Sequence, residues 1–369
     1  MSQSCWLNRA RILILVILSV VGESTANADY AFIAYYHSPG AEVSQLTLNA
    51  NNTVKSAAVF GKTNTFNSGS GFQGEGITFE NNLGGAHPSQ IYIASPSDGT
   101  VKSFDPNGTL ISNNILKSST GGAFTLAGDA IAGTALSSDG RDLYVAASSG
   151  NTTGIWEFNA VTGKQVGYNA FTGAHDVTFH NGYLYASAYL TASNAGVYRF
   201  NADLSGQTQI IAGGNNNLYH ATGMAFVGNN LYVGNAGVNS SSNVANFVSE
   251  YTVGGTTATF VQTYMDASKI INPFGIAAGP DGNIYVSSLG DLGSANGQIT
   301  KLDVSKTPAT ALSTWLANGT AGTANAPKYL SFESEAVSLV PEPSSFVLMG
   351  LGLAGTALVG RARRRPIVA

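Results

Sequence analysis

The chain has 369 residues, 44% hydrophobic and only 10% charged, with 44 glycines and a formal net charge of −4. Its single cysteine, Cys5, precedes the first apolar run, which excludes a disulfide framework and, once that run is removed, a cysteine nucleophile. Residues 29–340 hold 11 Lys and Arg against 19 Asp and Glu, and this acidic balance argues against nucleic acid as a partner.

Residues 1–28 read as a secretory signal peptide. Arg9 and Arg11 form the positive region, Ile12 to Val21 the apolar region, and Ala26-Asn27-Ala28 the small-residue cleavage site. Such a run covers about 15 Å of helix, half of a bilayer core, so export rather than anchoring is expected.

From Asp29 onward one pattern recurs: a small-apolar strand, a polar turn, an aromatic-containing apolar strand, a Gly or Asn linker and a third strand. The first strands are Gly76 to Phe79, Gly133 to Leu136, Asp176 to Phe179, Gly223 to Phe226 and Gly275 to Ala278. Each is followed by a strand marked by Tyr92, Tyr144, Tyr185, Tyr232 or Tyr285, and these tyrosines fall 41 to 53 residues apart, in the range of propeller blades. Asp98-Gly99, Asn107-Gly108, Asp139-Gly140, Asn181-Gly182 and Asp281-Gly282 suit the positive φ of tight hairpin turns. The repeated tyrosines are read as core packing.

The two ends of the body complete a sixth unit. Ala31 to Ala34 and Val43 to Leu46 resemble the second and third strands, and Ala336-Val337-Ser338-Leu339 resembles the first. Pairing them would close a ring and leave no open edge. The expectation is an all-β, six-bladed β-propeller over 29–339, closed by its N- and C-terminal strands. Seven blades is the alternative, if Asn49 to Gly74 or Val304 to Tyr329 holds a further unit. In repeat grammar this body resembles the NHL, YVTN and SMP-30-type propellers, a fold that hosts many functions.

Innermost strands of a propeller begin around the mouth of a central channel, so the residues just before each Gly-apolar strand converge there. The aligned positions are Glu75, Ala132, His175, Thr222, Phe274 and Glu335, with His220, Asn272 and Glu333 two residues upstream of one of them. Carboxylates and imidazoles bind divalent cations and serve as acids and bases. Glu75, His175, His220 and Glu335 are therefore the candidate metal ligands, with Asn272 beside them in the candidate channel site. The resemblance to SMP-30-type lactonases and streptogramin-lyase-like propellers implies a metal at such a mouth. No complete ligand set matches residue by residue, however, and alanine and phenylalanine hold two of the six positions. The other reading is that these polar groups bond channel water and neighbouring loops. His37 and His87 read as loop residues and His180 as a turn residue. Gly69-Ser70-Gly71 and Gly121-Gly122 lack the strand-to-helix setting of a phosphate loop.

At the far end, Val340-Pro341-Glu342-Pro343-Ser344-Ser345 leads into the apolar run Phe346 to Val359 and then Arg361, Arg363, Arg364 and Arg365. Pro341 and Pro343 favour extended backbone, the apolar run is the expected short transmembrane helix, and the arginines form a stop-transfer end held in the cytoplasm. This order resembles the PEP-CTERM sorting signal of Gram-negative bacteria, with Pro341-Glu342-Pro343 at the signature tripeptide. The resemblance implies membrane attachment before processing, recognition by an exosortase, and release to the cell envelope, outer surface or exopolysaccharide matrix. The expected organisation is thus 1–28 signal peptide, 29–339 propeller and 340–369 sorting segment. Two functions stay open. One is a surface or matrix protein whose propeller is a binding or adhesion platform for exopolysaccharide or a surface protein, favoured by the incomplete ligand set. The other is an exported metal-dependent hydrolase or lyase.

Overall fold

The computed structural model describes residues 30–35, 43–60, 75–80, 89–96, 98–126, 131–148, 153–189, 196–213, 218–237, 246–290, 297–317 and 327–333. The chain divides into units 1–334 and 335–369, and every described residue belongs to the first. The expected leader, transmembrane run and arginine-rich end lie outside the described residues. Among the described residues no helix is long and apolar enough to cross a membrane.

In chain order, β1 (Tyr30–Tyr35), β2 (Val43–Leu48) and β3 (Val54–Val59) precede five consecutive four-stranded sheets. Blade 1 is β4 (Glu75–Glu80), β5 (Gln90–Ser95), β6 (Thr100–Phe104) and β7 (Leu110–Ser112). Blade 2 is β8 (Ile131–Leu136), β9 (Asp142–Ala147), β10 (Gly154–Asn159) and β11 (Gln165–Asn169). Blade 3 is β12 (Ala174–His180), β13 (Tyr183–Ala188), β14 (Gly196–Asn201) and β15 (Thr208–Ala212). Blade 4 is β16 (Ala221–Val227), β17 (Asn230–Asn235), β18 (Phe247–Gly254) and β19 (Thr257–Tyr264). Blade 5 is β20 (Pro273–Ala278), β21 (Ile284–Ser288), β22 (Gln298–Leu302) and β23 (Leu312–Leu316), the last two joined through the one-turn helix α1 (Pro308–Ala311). Blade 6 takes β24 (Pro327–Phe332) as its innermost strand, in the order β24-β1-β2-β3. The six inner strands β4, β8, β12, β16, β20 and β24 stand side by side in that order, and β24 returns to β4. The protein is an all-β, six-bladed propeller closed by its terminal strands.

One strand differs from expectation. The ring is closed by Pro327–Phe332, whose register sets Phe332 against Ala31 and Leu330 against Ile33. Ala336-Val337-Ser338-Leu339 lies outside the described residues. The closing strand escaped the repeat pattern because Tyr329 stands where four other inner strands carry glycine, and a lysine precedes it. Those glycines have a shared physical reason. A Cβ on Gly223 would sit 2.5 Å from the Phe274 carbonyl oxygen, and one on Gly275 would sit 2.6 Å from the Lys328 carbonyl oxygen. Gly76 and Gly133 are pressed in the same way against the next inner strand. Absence of a side chain lets neighbouring inner strands approach backbone to backbone.

Cores between blades are aromatic and aliphatic. Phe79 stacks on Phe32 at 6.0 Å and Phe179 on Tyr144 at 5.7 Å, each linking an inner strand to the preceding blade. Burying such a ring is worth roughly 1.5–3 kcal/mol. Four of the five repeated tyrosines also have a hydroxyl partner: Tyr92 donates to Glu80 at 2.9 Å, Tyr232 to Glu250 at 3.1 Å, Tyr285 to Asp281 at 3.0 Å, and Tyr144 to the Ala202 carbonyl at 2.9 Å. They pack the core, as expected, and they also fix polar groups at the hairpin ends of the blades. Gly99, Gly108, Gly140, Gly182 and Gly282 all have positive φ in the turns that their sequence marks.

Candidate functional site

The six inner strands begin at one end of the channel, the loop end, and finish at the other, the turn end, where short turns lead from β8, β12, β16 and β20 to the second strands of their blades. Hydroxyls on the blades hold the starts in place. Ser187 donates to the Thr222 carbonyl at 2.7 Å, Thr222 to the Pro273 carbonyl at 2.9 Å and Ser287 to the Lys328 carbonyl at 2.6 Å. The residues so positioned around the loop end are Glu75, Ala132, His175, Thr222, Phe274 and Lys328. Lys328 takes the sixth place, for which the sequence reading had Glu335; that glutamate lies outside the described residues.

The identity of the sixth residue changes the chemistry. Glu75 and Lys328, on neighbouring strands and only 6% and 4% exposed, form an ion pair. The Lys328 ammonium also lies 4.7 Å from the centre of the Phe274 ring. Burial pushes the Lys328 pKa down and the Glu75 carboxylate pulls it back up, leaving it below the ordinary lysine range. His175 is 5% exposed, with Phe274 at 4.6 Å and Tyr189 at 5.0 Å from its ring centre. Burial, and then the Lys328 charge, push its pKa down to about 3, so the imidazole is neutral.

Tyr329 belongs to β24, and His175 to β12 on the opposite side of the ring. The Tyr329 side chain therefore crosses the channel, its hydroxyl donating to the His175 carbonyl at 3.4 Å and lying 3.5 Å from His175 Nδ1. Burial, and then the Asp176 and Glu75 charges, hold that hydroxyl well above the usual phenol range. Asp176 replaces one of the ring glycines. Its Oδ2 accepts the Met224 N–H at 2.8 Å, and burial raises its pKa to about 7 against the backbone hydrogen bonds from Met224 and Val177.

Of the residues named from sequence, Glu75 and His175 thus reach the channel together, joined there by Lys328, Tyr329 and Phe274. His220 sits behind Tyr189, with a ring separation of 5.1 Å, and its Nδ1 has no hydrogen-bond partner. Burial lowers the His220 pKa. Asn272 has positive φ, and its side-chain amide donates to the Gly290 carbonyl at 2.8 Å, which holds a loop. Glu333 follows β24 at the turn end, where its N–H donates to the Tyr30 carbonyl at 3.0 Å. His180 closes β12 and stacks on Phe226; His37 and His87 lie outside the described residues. Among the described residues no group of three or more His, Cys, Asp or Glu is placed to hold a metal ion. Lys328, Tyr329 and Asp176 are the participants that sequence reasoning missed. The one available signal was a lone lysine in the apolar stretch Pro327 to Phe332.

What stands at the loop end is a plug of salt bridge, imidazole and aromatic rings. Beyond the described residues lies the sorting segment. Residues 339–365 match the PEP-CTERM protein-sorting motif. That match includes Pro341, Glu342 and Pro343 and implies an exported protein, directed toward the Gram-negative cell envelope and handled by an exosortase-type enzyme. No curated protein matches this sequence. Among solved structures, a chain of the nidogen/laminin complex is 13% identical with a TM-score of 0.57, the match covering 82% of this chain and 97% of that one. TolB from Acinetobacter baumannii is 10% identical with a TM-score of 0.55, covering 86% and 69%. Both likenesses speak for the propeller fold alone.

Proposed function

We propose that this is a cell-surface or extracellular-matrix protein whose propeller serves as a binding or adhesion platform after sorting through its PEP-CTERM segment. The observation that carries this reading is the Glu75–Lys328 pair. A metal-dependent hydrolase needs a carboxylate free to receive a cation and an imidazole lone pair directed at it. Here an ammonium of the same chain already answers the Glu75 charge, and rings on three sides enclose His175. Opening that pair would strand a buried charge, which is costly in a medium of low dielectric.

Glu75 and His175 at one mouth, and the unpartnered Nδ1 of His220, favour the second reading of an exported metal-dependent hydrolase or lyase. Metal analysis of the purified protein, with melting curves before and after chelation, separates the two. The platform reading expects no stoichiometric divalent metal and an unchanged melting temperature. A stoichiometric metal lost in both Glu75→Gln and His175→Ala would replace it with the hydrolase. The sorting proposal has its own test: Pro341→Ala combined with Glu342→Ala should leave unprocessed precursor in the membrane fraction, and normal processing of that variant would sink it.

A further inference from the structure

The same inner strands that are sealed at the loop end stand apart at the turn end, around a cavity of about 390 Å³ walled by all six of them. This lies at the lower end of the range for small-molecule pockets, about 300–1,000 Å³. Tyr329 and Asp176 are among its lining residues, and the Tyr329 side chain lies across the channel to His175 toward the loop end. Each inner strand is paired within its blade on one side only, so the channel wall carries main-chain N–H and C=O groups from six strand edges. Thr178 and Ser331 stand among them, and the Thr78 hydroxyl donates to the Thr134 carbonyl of the neighbouring strand, 2.8 Å away. The acids of the wall are engaged already: Glu80 accepts the Tyr92 hydroxyl and Asp176 the Met224 N–H. At the rim, His180 stacks flat on Phe226 at 4.0 Å and 6° between planes.

A wall of neutral donors and acceptors with a flat aromatic patch suits a ligand of hydroxyl groups better than an ion. An anion would face two carboxyl groups, and a cation would find both of them bonded elsewhere. With Tyr329 lying across the channel, the cavity suits a chain end better than a threaded polymer. We propose that the turn-end cavity binds a neutral polyhydroxylated ligand, one or two sugar rings deep, as a free sugar or as the terminus of a glycan. This assignment rests on the platform reading and gives it a site.

The test is calorimetric titration of the purified full-length protein with glucose, N-acetylglucosamine, their β-1,4-linked tetrasaccharides and, as an ionic control, tetramethylammonium chloride. Thr178→Trp on β12 and Ser331→Trp on β24 each fill the cavity, the second standing in if the first does not fold. Saturable saccharide binding should weaken at least tenfold in a filled variant whose melting temperature matches the parent. Tighter binding of a monosaccharide identifies a free sugar, and tighter binding of a tetrasaccharide identifies a glycan end. Saccharide binding that survives both fills overturns this site and leaves the platform reading standing. Absence of saturable binding to all four sugars, or binding of tetramethylammonium in their place, overturns the ligand class. A cation-dependent hydrolysis without saccharide binding overturns the platform reading as well.

Discussion

The two ends of the inner strands are built from one repeat and behave as opposites. At the loop end the ring is filled: an ion pair, a neutral imidazole, a phenylalanine and a tyrosine that reaches across to the opposite blade. At the turn end the strands separate around open space lined by main chain and hydroxyls. Repetition explains the ring itself, through the glycines that let each inner strand press on the next. The contrast between the ends comes from the places where repetition fails, chiefly Lys328 and Tyr329 on the closing strand and His175 and Asp176 on β12. In this propeller the departures from the repeat, rather than the repeat, are where chemistry should be sought.

The contrast can be broken most severely at the ion pair. Glu75→Ala should destabilise the protein by about 3–5 kcal/mol, read by denaturant unfolding, because a buried ammonium is left alone. Combining Glu75→Gln with Lys328→Met should recover most of that loss; if the single variant is near neutral, the plug is not the structural unit described. Next in size, Gly223→Ala should cost about 1–3 kcal/mol by forcing a methyl against the Phe274 carbonyl. Gly254→Ala, where a Cβ meets nothing within 4 Å, is the matched control and should be almost silent. Tyr329→Phe keeps the ring across the channel and removes only its hydroxyl, for a loss of about 1 kcal/mol.

A smaller effect sharpens the comparison through pH. Folding raises the Asp176 pKa to about 7, so its contribution to stability is complete below the ordinary aspartate range and is lost as pH rises through about 7. Asp176→Asn can still accept the Met224 N–H and removes the titration. Its melting temperature relative to the parent should therefore increase steadily from pH 4 to pH 8, and a difference independent of pH would contradict the assignment. His175 acts in the other direction. Its folded pKa is depressed, so its contribution is present above about 6.5 and is lost as pH falls toward 3.

Five of the six blades were legible because their inner strands open with glycine, or in blade 3 with Asp176, before an apolar run and their second strands carry a tyrosine. The second and third strands of blade 6 were legible for the same kind of reason. The outermost strands were not: β7 has three residues, and β23 follows a helical turn, so neither shows a period long enough to recognise. At the candidate site, alignment of the repeats set Glu75 and His175 at equivalent positions, and both stand near the starts of their inner strands, β4 and β12. The sixth position, read as Glu335, is held by Lys328, which the alignment passed over because Tyr329 lacks the glycine that marks four of the other inner strands. Nothing local pairs Lys328 with Glu75, which lies 253 residues earlier in the chain. The tether at Asn272 was hidden as well, because its left-handed backbone and its bond to Gly290 are decided by the loop after β21.

The closing strand has a consequence for timing. A chain threaded through a pore from its N-terminal end delivers β1 first and β24 last, so the channel-facing edge of β1 waits bare for nearly the whole of synthesis or passage. Joining the two ends costs the entropy of closing almost the longest loop the body offers, which places this step late. Since β24 also brings Lys328 and Tyr329, a molecule truncated anywhere upstream lacks its lid on the channel as well as its last strand. The sorting motif begins only a few residues beyond Phe332, so the chain finishes its architecture at about the moment its address becomes readable. Copies truncated before Pro327 would carry neither the closing strand nor the motif.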